Sequence, residues 1–147
     1  MSQVFKGRSI LPATVEGQAL VTRRGFNTLA CFYKSILTHA STAVCGDQDN
    51  PELFGRVLTA QIICLPKSIG STSAGATWDF VAKMGIAPAA MLFSEPIDSL
   101  SAAGLILADI WVGRRICTVD QLGAEFLAAV QTGQPLKIMT DGTVTFV

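Results

Sequence analysis

Three short runs in the second half of the chain, residues 57–64, 88–93 and 115–119, are apolar over most of their length. Such brief runs, rich in β-branched residues and bounded by turn signals, read as strands buried on both faces. Helical patterns stand between and after them. One covers 76–84 and stops at Gly85, and a second covers 100–112, capped by Ser99 and ended by Gly113. A third covers 121–130, started by Asp120 and closed by Gly133. Residues 135–140 and 144–147 read as a hairpin around Asp141-Gly142. Alternation of this kind predicts a layered α/β domain with a mixed sheet and flanking helices. In the first half, 5–10 and 17–22 read as short strands around the turn 11–14, with Gly7 and Gly17 marking bends, which adds a small β subdomain. Residues 25–30 form a loop or a helix start, and 34–54 show only a weak pattern. Loops that long are usually functional or ordered by a partner. Asn27 and the 47–50 region are therefore secondary site candidates, set against the plainer reading of a solvated loop.

The 147 residues make one domain, 1–147, long enough to bury a core. Half are hydrophobic and only 15% are charged, with mean hydropathy +0.45. That balance suggests either a well-filled core or a surface covered by a partner protein. The longest apolar run, 100–111, is too short to cross a membrane and contains Asp109. The opening residues 1–6 lack an apolar signal core, so a cytoplasmic protein is expected. Net charge is zero, and the basic pairs Arg23-Arg24 and Arg114-Arg115 form no stripe, which removes the electrostatic basis for nucleic-acid binding. Cys31, Cys45, Cys64 and Cys117 include no C-x-x-C spacing, so no metal site is expected in this chain. Cys64 and Cys117 fall in buried strands, whereas Cys45, in a polar segment, reads as exposed.

The stretch 65–75, Leu65-Pro66-Lys67-Ser68-Ile69-Gly70-Ser71-Thr72-Ser73-Ala74-Gly75, joins the first buried strand to the first helix. A strand, a Gly/Ser turn and a helix start aim backbone N–H groups and a positive helix end at one spot. Ser71 or Thr72 would serve as the N-cap. Gly70 and Gly75 have the spacing of a phosphate loop, but Ala76 stands where its lysine belongs, although Thr77 follows correctly. A nucleophile elbow around Ser73 lacks its leading glycine, with Ser71 in that place, and would depend on the only histidine, His39. A serine acting as base or anion holder beside residues of another chain is the third reading. A capped turn without chemistry is the fourth. Strand ends gather ligands in such sheets, which puts the 94–98 loop on the same edge as this turn, with Glu95 and Asp98 as supporting candidates.

Read in order, the chain resembles the swivel domain, or small subunit, of the aconitase X family over nearly its whole length. The likeness is carried by Lys6-Gly7-Arg8, Glu16-Gly17-Gln18-Ala19-Leu20-Val21, Gly55-Arg56-Val57-Leu58, Gly70-Ser71-Thr72-Ser73 and Ala87-Pro88-Ala89-Ala90-Met91-Leu92-Phe93. Gly25-Phe26-Asn27-Thr28-Leu29-Ala30, the segment 45–51 and the segment 93–100 are similar to the bacterial branch that dehydrates cis-3-hydroxy-L-proline. The alternative branch dehydrates phosphomevalonate and carries a more basic turn, to which Lys67 is a partial approach. The resemblance implies a swivelling β/β/α fold like the mobile domain of aconitase. It also implies a large partner subunit holding an iron–sulfur cluster or iron, and a small hydroxy-acid substrate. By the same resemblance Ser71 removes the proton beside the substrate carboxylate; Gly70, Thr72 and Ser73 are then expected to supply backbone or hydroxyl contacts to substrate, with Asn27 a further contact candidate. Cys45, Asp47 and Glu95 are further residues that a shared site would bring into question. A serine hydroxyl ionises far above neutral pH. A helix N-terminus contributes only about 0.3–2 kcal/mol, so further N–H donors and exclusion of water by a partner are needed. A non-catalytic module whose turn merely holds an anion is the rival of another class.

Overall fold

The computed structural model describes residues 3–147; Met1 and Ser2, at the head of the stretch read as lacking a signal core, lie outside them. The chain opens with β1 (Val4–Lys6), β2 (Arg8–Leu11) and β3 (Val15–Val21), then β4 (Phe26–Asn27) and helix α1 (Thr28–Leu37). A long loop leads to β5 (Ile62–Leu65), β6 (Ser68–Ile69) and α2 (Ala74–Met84). Next come β7 (Ala90–Phe93) and α3 (Ser99–Leu107), which runs on into a π-helical turn, Ala108–Val112. Strand β8 (Cys117–Asp120), short α4 (Ala124–Ala129) and the hairpin β9 (Pro135–Ile138) and β10 (Thr143–Phe146) complete the chain.

Eight of the strands form one mixed sheet in the order β1-β10-β9-β3-β5-β7-β8-β2. The run β3-β5-β7-β8 is parallel, and the outer strands join it antiparallel. Strands β1 and β2 sit at opposite ends of this order although Gly7 alone separates them in the chain. The sheet therefore curls until its ends meet. Gly7 is the corner: its N–H donates to the Gly142 carbonyl at 3.0 Å, and a Cβ there would run into the Asp120 carbonyl. The expected strand 5–10 is divided at this point, and β2 pairs with β8 rather than beside β3.

The curled sheet gives the expected β/β/α layering. One face of the parallel run, with Leu20, Ile63, Leu65, Met91 and Phe93, packs on Phe32, Trp78, Val81 and Leu105 of the helices. The other face, with Val21, Ile62, Cys64, Leu92 and Val119, packs on Phe126, Val130, Leu136, Ile138 and Val144. Strands β5, β7 and β8 are buried at every position, which is why the sequences of β5 and β7 carry no alternation, while β8 buries Thr118 and Asp120 between its apolar residues. The small β layer is formed by β1, β10, β9 and β3, drawn from both ends of the chain.

Several expected boundaries move, each for a local reason. The run 57–64 becomes strand only from Ile62. Ahead of it Ala60 turns at φ 63°, and the Thr59 hydroxyl accepts from Ala43 N–H at 2.8 Å and donates to the Ile86 carbonyl at 2.8 Å. Its apolar character comes from Leu58, fully buried beneath the long loop. Helix α1 extends to Leu37 through the region read as loop, burying Thr28, Cys31, Phe32 and Ser35 at helical spacing. Asp98, not Ser99, caps α3, accepting from Ser101 N–H at 2.9 Å. Asp120 starts no helix: it ends β8, fully buried, and is held by Arg8. The chain then turns through Gln121 (φ 57°) and Gly123 (φ 94°) before α4. No helix is long and apolar enough to cross a membrane among the described residues.

Candidate functional site

Three connections leave the carboxyl ends of the parallel strands β3, β5 and β7, and two of them are tied together by main chain. Strands β4 and β6 pair in parallel, Phe26 against Ser68 and Asn27 against Ile69, and Phe26 N–H donates to the Lys67 carbonyl at 2.9 Å. This two-stranded sheet sets the start of α1 against the turn that begins α2. Gly70 sits at φ 103°, and a Cβ on it would lie 2.7 Å from the Asn27 side chain. No other residue combines that backbone region with that contact at low cost. Asn27 therefore forms a wall of the serine turn. Its Oδ1 also caps α1 by accepting from Ala30 N–H at 3.1 Å.

Ser71 is exposed on this turn. Its Oγ accepts from Ser73 N–H at 3.1 Å and lies 2.8 Å from Ser73 Oγ. The first helical N–H, of Ala74, donates to the Ser71 carbonyl at 3.2 Å. Ser73, not Ser71 or Thr72, occupies the N-cap position of α2, in αR geometry with no side-chain cap bond. A backbone donor and a neighbouring hydroxyl free to donate, both beside the positive end of an eleven-residue helix, can hold negative charge on that oxygen.

Ser71 opens on a cleft of about 510 Å³ whose other walls are Asn27, Ala30, Tyr33 and Lys34 from the α1 side and Gly46–Asp49 (46–49) from the long loop. Gly70, Thr72 and Ser73 flank Ser71 but do not line this cleft. The cleft brings together Asn27, Asp47 and Ser71, each more than nineteen positions from the next in the sequence. Tyr33 and Lys34 were not anticipated. Their only signal is helical phase from the Asn27 cap, hidden while α1 went unrecognised. Glu95 lines a different cleft, with Arg23, Pro66 and Ser94, and Asp98 is used as a cap, so neither joins Ser71.

The competing chemistries meet specific obstacles. Gly104, not Gly75, is the glycine that packing demands here, since a Cβ on Gly104 would lie 2.7 Å from the Gly75 Cα and carbonyl oxygen, whereas one on Gly75 would meet nothing closer than the Leu100 carbonyl at 3.5 Å; Ala76 in the lysine position leaves no phosphate grip. His39 lies exposed in the turn after α1 and makes no hydrogen bond to Ser71 or Ser73. Ser73 has ordinary helical angles, φ −75° and ψ −1°, not the strained elbow of a nucleophilic serine.

Cys45 is buried, not exposed. The segment after it folds under α1, where Gly46 N–H donates to the Cys31 carbonyl at 3.1 Å and Gly55 N–H to the Cys45 carbonyl at 2.9 Å. The Cys31 thiol is pushed up by its hydrogen bond with Cys45 and by burial, and the same bond draws Cys45 down. Burial pushes the Cys64 and Cys117 thiols up. All four cysteines are free, and no group of three or more His, Cys, Asp or Glu side chains is placed to hold a metal among the described residues. The donors among the described residues are not grouped as an iron centre would need.

This curled β/β/α layering, with a serine turn at the strand ends, is that of a swivelling domain. The chain belongs to the aconitase X swivel domain family, whose model matches residues 4–146. It is 28% identical over 106 residues, 72% of this chain and 73% of the relative, to the phosphomevalonate dehydratase small subunit of Pyrococcus furiosus. Its fold is shared with Thermococcus kodakaraensis aconitase X, crystallised in its holo form, at TM-score 0.82 and 23% identity, covering 99% of this chain and 98% of that one. A UPF0107 protein solved by solution NMR matches at TM-score 0.78 and 23% identity over 99% of both chains.

Proposed function

We propose that this chain is the small subunit of an aconitase X-type hydro-lyase and that Ser71 is its base, acting on cis-3-hydroxy-L-proline. The observation that carries the reading is the exposed Ser71 Oγ at the start of α2, which accepts from Ser73 N–H at 3.1 Å and lies 2.8 Å from the Ser73 hydroxyl, a group that can only donate to it once Ser71 is ionised. Ser71 as alkoxide takes the proton from the carbon bearing the carboxylate. The electron pair left there forms the double bond as hydroxide departs from the neighbouring carbon, and the cyclic enamine then tautomerises to 1-pyrroline-2-carboxylate. Ser73 holds the charge on Oγ before the transfer, Asn27 offers its amide nitrogen to the substrate, and Gly70 and Thr72 shape the turn. The helix end supplies at most roughly 1.5 pKa units toward ionising the serine. The remainder requires a closed, dry cleft, which an exposed Ser71 obtains only from a partner subunit. The iron centre that the resemblance implies is assigned by it to that large subunit.

Charge around the cleft favours the imino acid. Its walls carry two carboxylates, Asp47 and Asp49, and one ammonium, Lys34. A substrate bearing both a carboxylate and a ring ammonium complements that set, whereas a phosphomonoester meets a surplus of like charge. Phosphomevalonate is the second reading, favoured by the relative from Pyrococcus furiosus.

The test is co-expression with a large aconitase X-type subunit without oxygen, followed by parallel assays of both substrates. Ser71→Ala should lower kcat by roughly 10²–10⁴-fold, the range of a lost general base, while the two chains still assemble. Turnover of phosphomevalonate alone would reverse the substrate assignment. Unchanged turnover in Ser71→Ala would remove the base from this chain and leave it an anion-holding or regulatory module.

A further inference from the structure

We infer that a latch formed by buried Thr22 and Asn50 with half-buried Glu52 is the positioning device that presents the loop wall of the Ser71 cleft to substrate; the inference rests on the reading of that cleft given above. Thr22 is 0% and Asn50 2% exposed. The Thr22 hydroxyl donates to Glu52 Oε1 at 2.8 Å and accepts from Asn50 Nδ2 at 3.0 Å and from Arg24 N–H at 3.1 Å. Glu52 Oε1 also accepts from Arg23 N–H at 2.8 Å. Asn50 Oδ1 accepts from the N–H groups of Glu52 at 3.1 Å and Leu53 at 3.2 Å.

The network is referenced to the sheet, not to the loop alone. Thr22 N–H donates to the Cys64 carbonyl at 2.9 Å, so Thr22 is fixed on β5, the same strand from which the Ser71 turn departs. Both walls of the cleft are thus hung from one strand pair. The loop between Cys45 and Asn50 has no helix or strand to direct it, yet it supplies Gly46, Asp47, Gln48 and Asp49 to the cleft. From Asn50 the direction passes back along the loop, since Asn50 N–H donates to the Asp47 carbonyl at 3.2 Å and Asp49 N–H to Asp47 Oδ1 at 3.0 Å. A buried polar cluster costs desolvation that leucines would not, so what it adds is a unique loop direction.

Thr22→Val keeps the side-chain shape and removes the hydroxyl. In the assembled enzyme it should raise KM roughly tenfold with kcat unchanged, because the Ser71 turn does not depend on the latch. Thr22→Ser should restore KM. Asn50→Asp, which keeps the bonds to Glu52 and Leu53 N–H but turns an acceptor toward Thr22, should raise KM in the same way. Hydrogen exchange of the full chain gives a readout independent of substrate. In Thr22→Val the amides of Asp49 and Asn50 should exchange faster while those of α2 do not. A lowered melting temperature with unaltered KM and unaltered exchange at Asp49 and Asn50 would reduce the latch to a stabilising element. A wild-type complex without turnover would sink the reaction reading alone, and the exchange result would then decide the latch by itself.

Discussion

Asn27 caps α1 through Oδ1 and, with the same side chain, leaves room only for glycine at position 70. The two uses can be separated. Asn27→Asp keeps an acceptor at the cap and should leave stability unchanged while raising KM, since the amide nitrogen is lost. Asn27→Ala should in addition cost about 1 kcal/mol by urea denaturation, the usual worth of a side-chain cap. Asp120 sets a different test. Burial alone would push its carboxyl up, but Arg8, bonded at 3.0 and 2.8 Å, and Ile97 N–H, at 2.8 Å, outweigh burial and hold it below the ordinary carboxylate range. A lowered native pKa means that Asp120 stabilises the fold above its unfolded-state pKa, and that this is lost as pH falls through the native value. The stability of Asp120→Asn should therefore fall less steeply with acid than that of the wild type, measured by denaturant midpoints across the acid range.

Among the elements, α2 and α3 cross at glycines. A Cβ on Gly104 would lie 2.7 Å from Gly75 Cα and 2.9 Å from Trp78 Cδ1, while Trp78 is fully buried against Phe32, ring centres 5.6 Å apart. Gly104→Ala must push α3 away or displace Trp78, at about 1–3 kcal/mol of stability. Because α2 begins at the Ser71 turn, the same variant should reduce kcat at temperatures where it remains folded. Unchanged kcat in a folded but destabilised Gly104→Ala would show that the turn is held by the β4–β6 pairing alone.

At the scale of the whole molecule, the curled sheet spends both faces of its parallel strands on the interior, and the helices have apolar side chains left over. Ile110 is 67% and Trp111 74% exposed, and Tyr33, Phe54 and Ile69 also face solvent. That surface, together with an uncovered Ser71, accounts for the expectation that the chain works beside a larger one. The purified chain alone should be inert toward both substrates even with iron supplied. Turnover by the single chain would overturn the shared site.

What the sequence by itself determined is whatever depends on neighbours along the chain. Two-face burial of β5 and β7 reads directly as unbroken apolar runs; Gly85 and Gly113 end helices in the left-handed region at φ 72° and 74°; and Asp141-Gly142 makes the final hairpin turn. The serine turn was legible for the same reason, being a strand, a glycine and a helix start within a dozen residues. Tertiary structure decided what depends on distant partners. Cys45 is polar by its neighbours and buried because α1 lies over it. Asp120 looks like a helix cap until Arg8, 112 positions away, claims its carboxylate. The run 57–61 is apolar without being a strand, because Leu58 fills the space beneath a loop that the sequence could not route. The cleft itself, with Lys34, Asp47 and Asp49 facing Ser71, exists only because β4 and β6 pair and the Thr22 latch turns the loop inward. Local preference cannot specify such a juxtaposition, since each of those residues is by its own segment an ordinary solvated side chain.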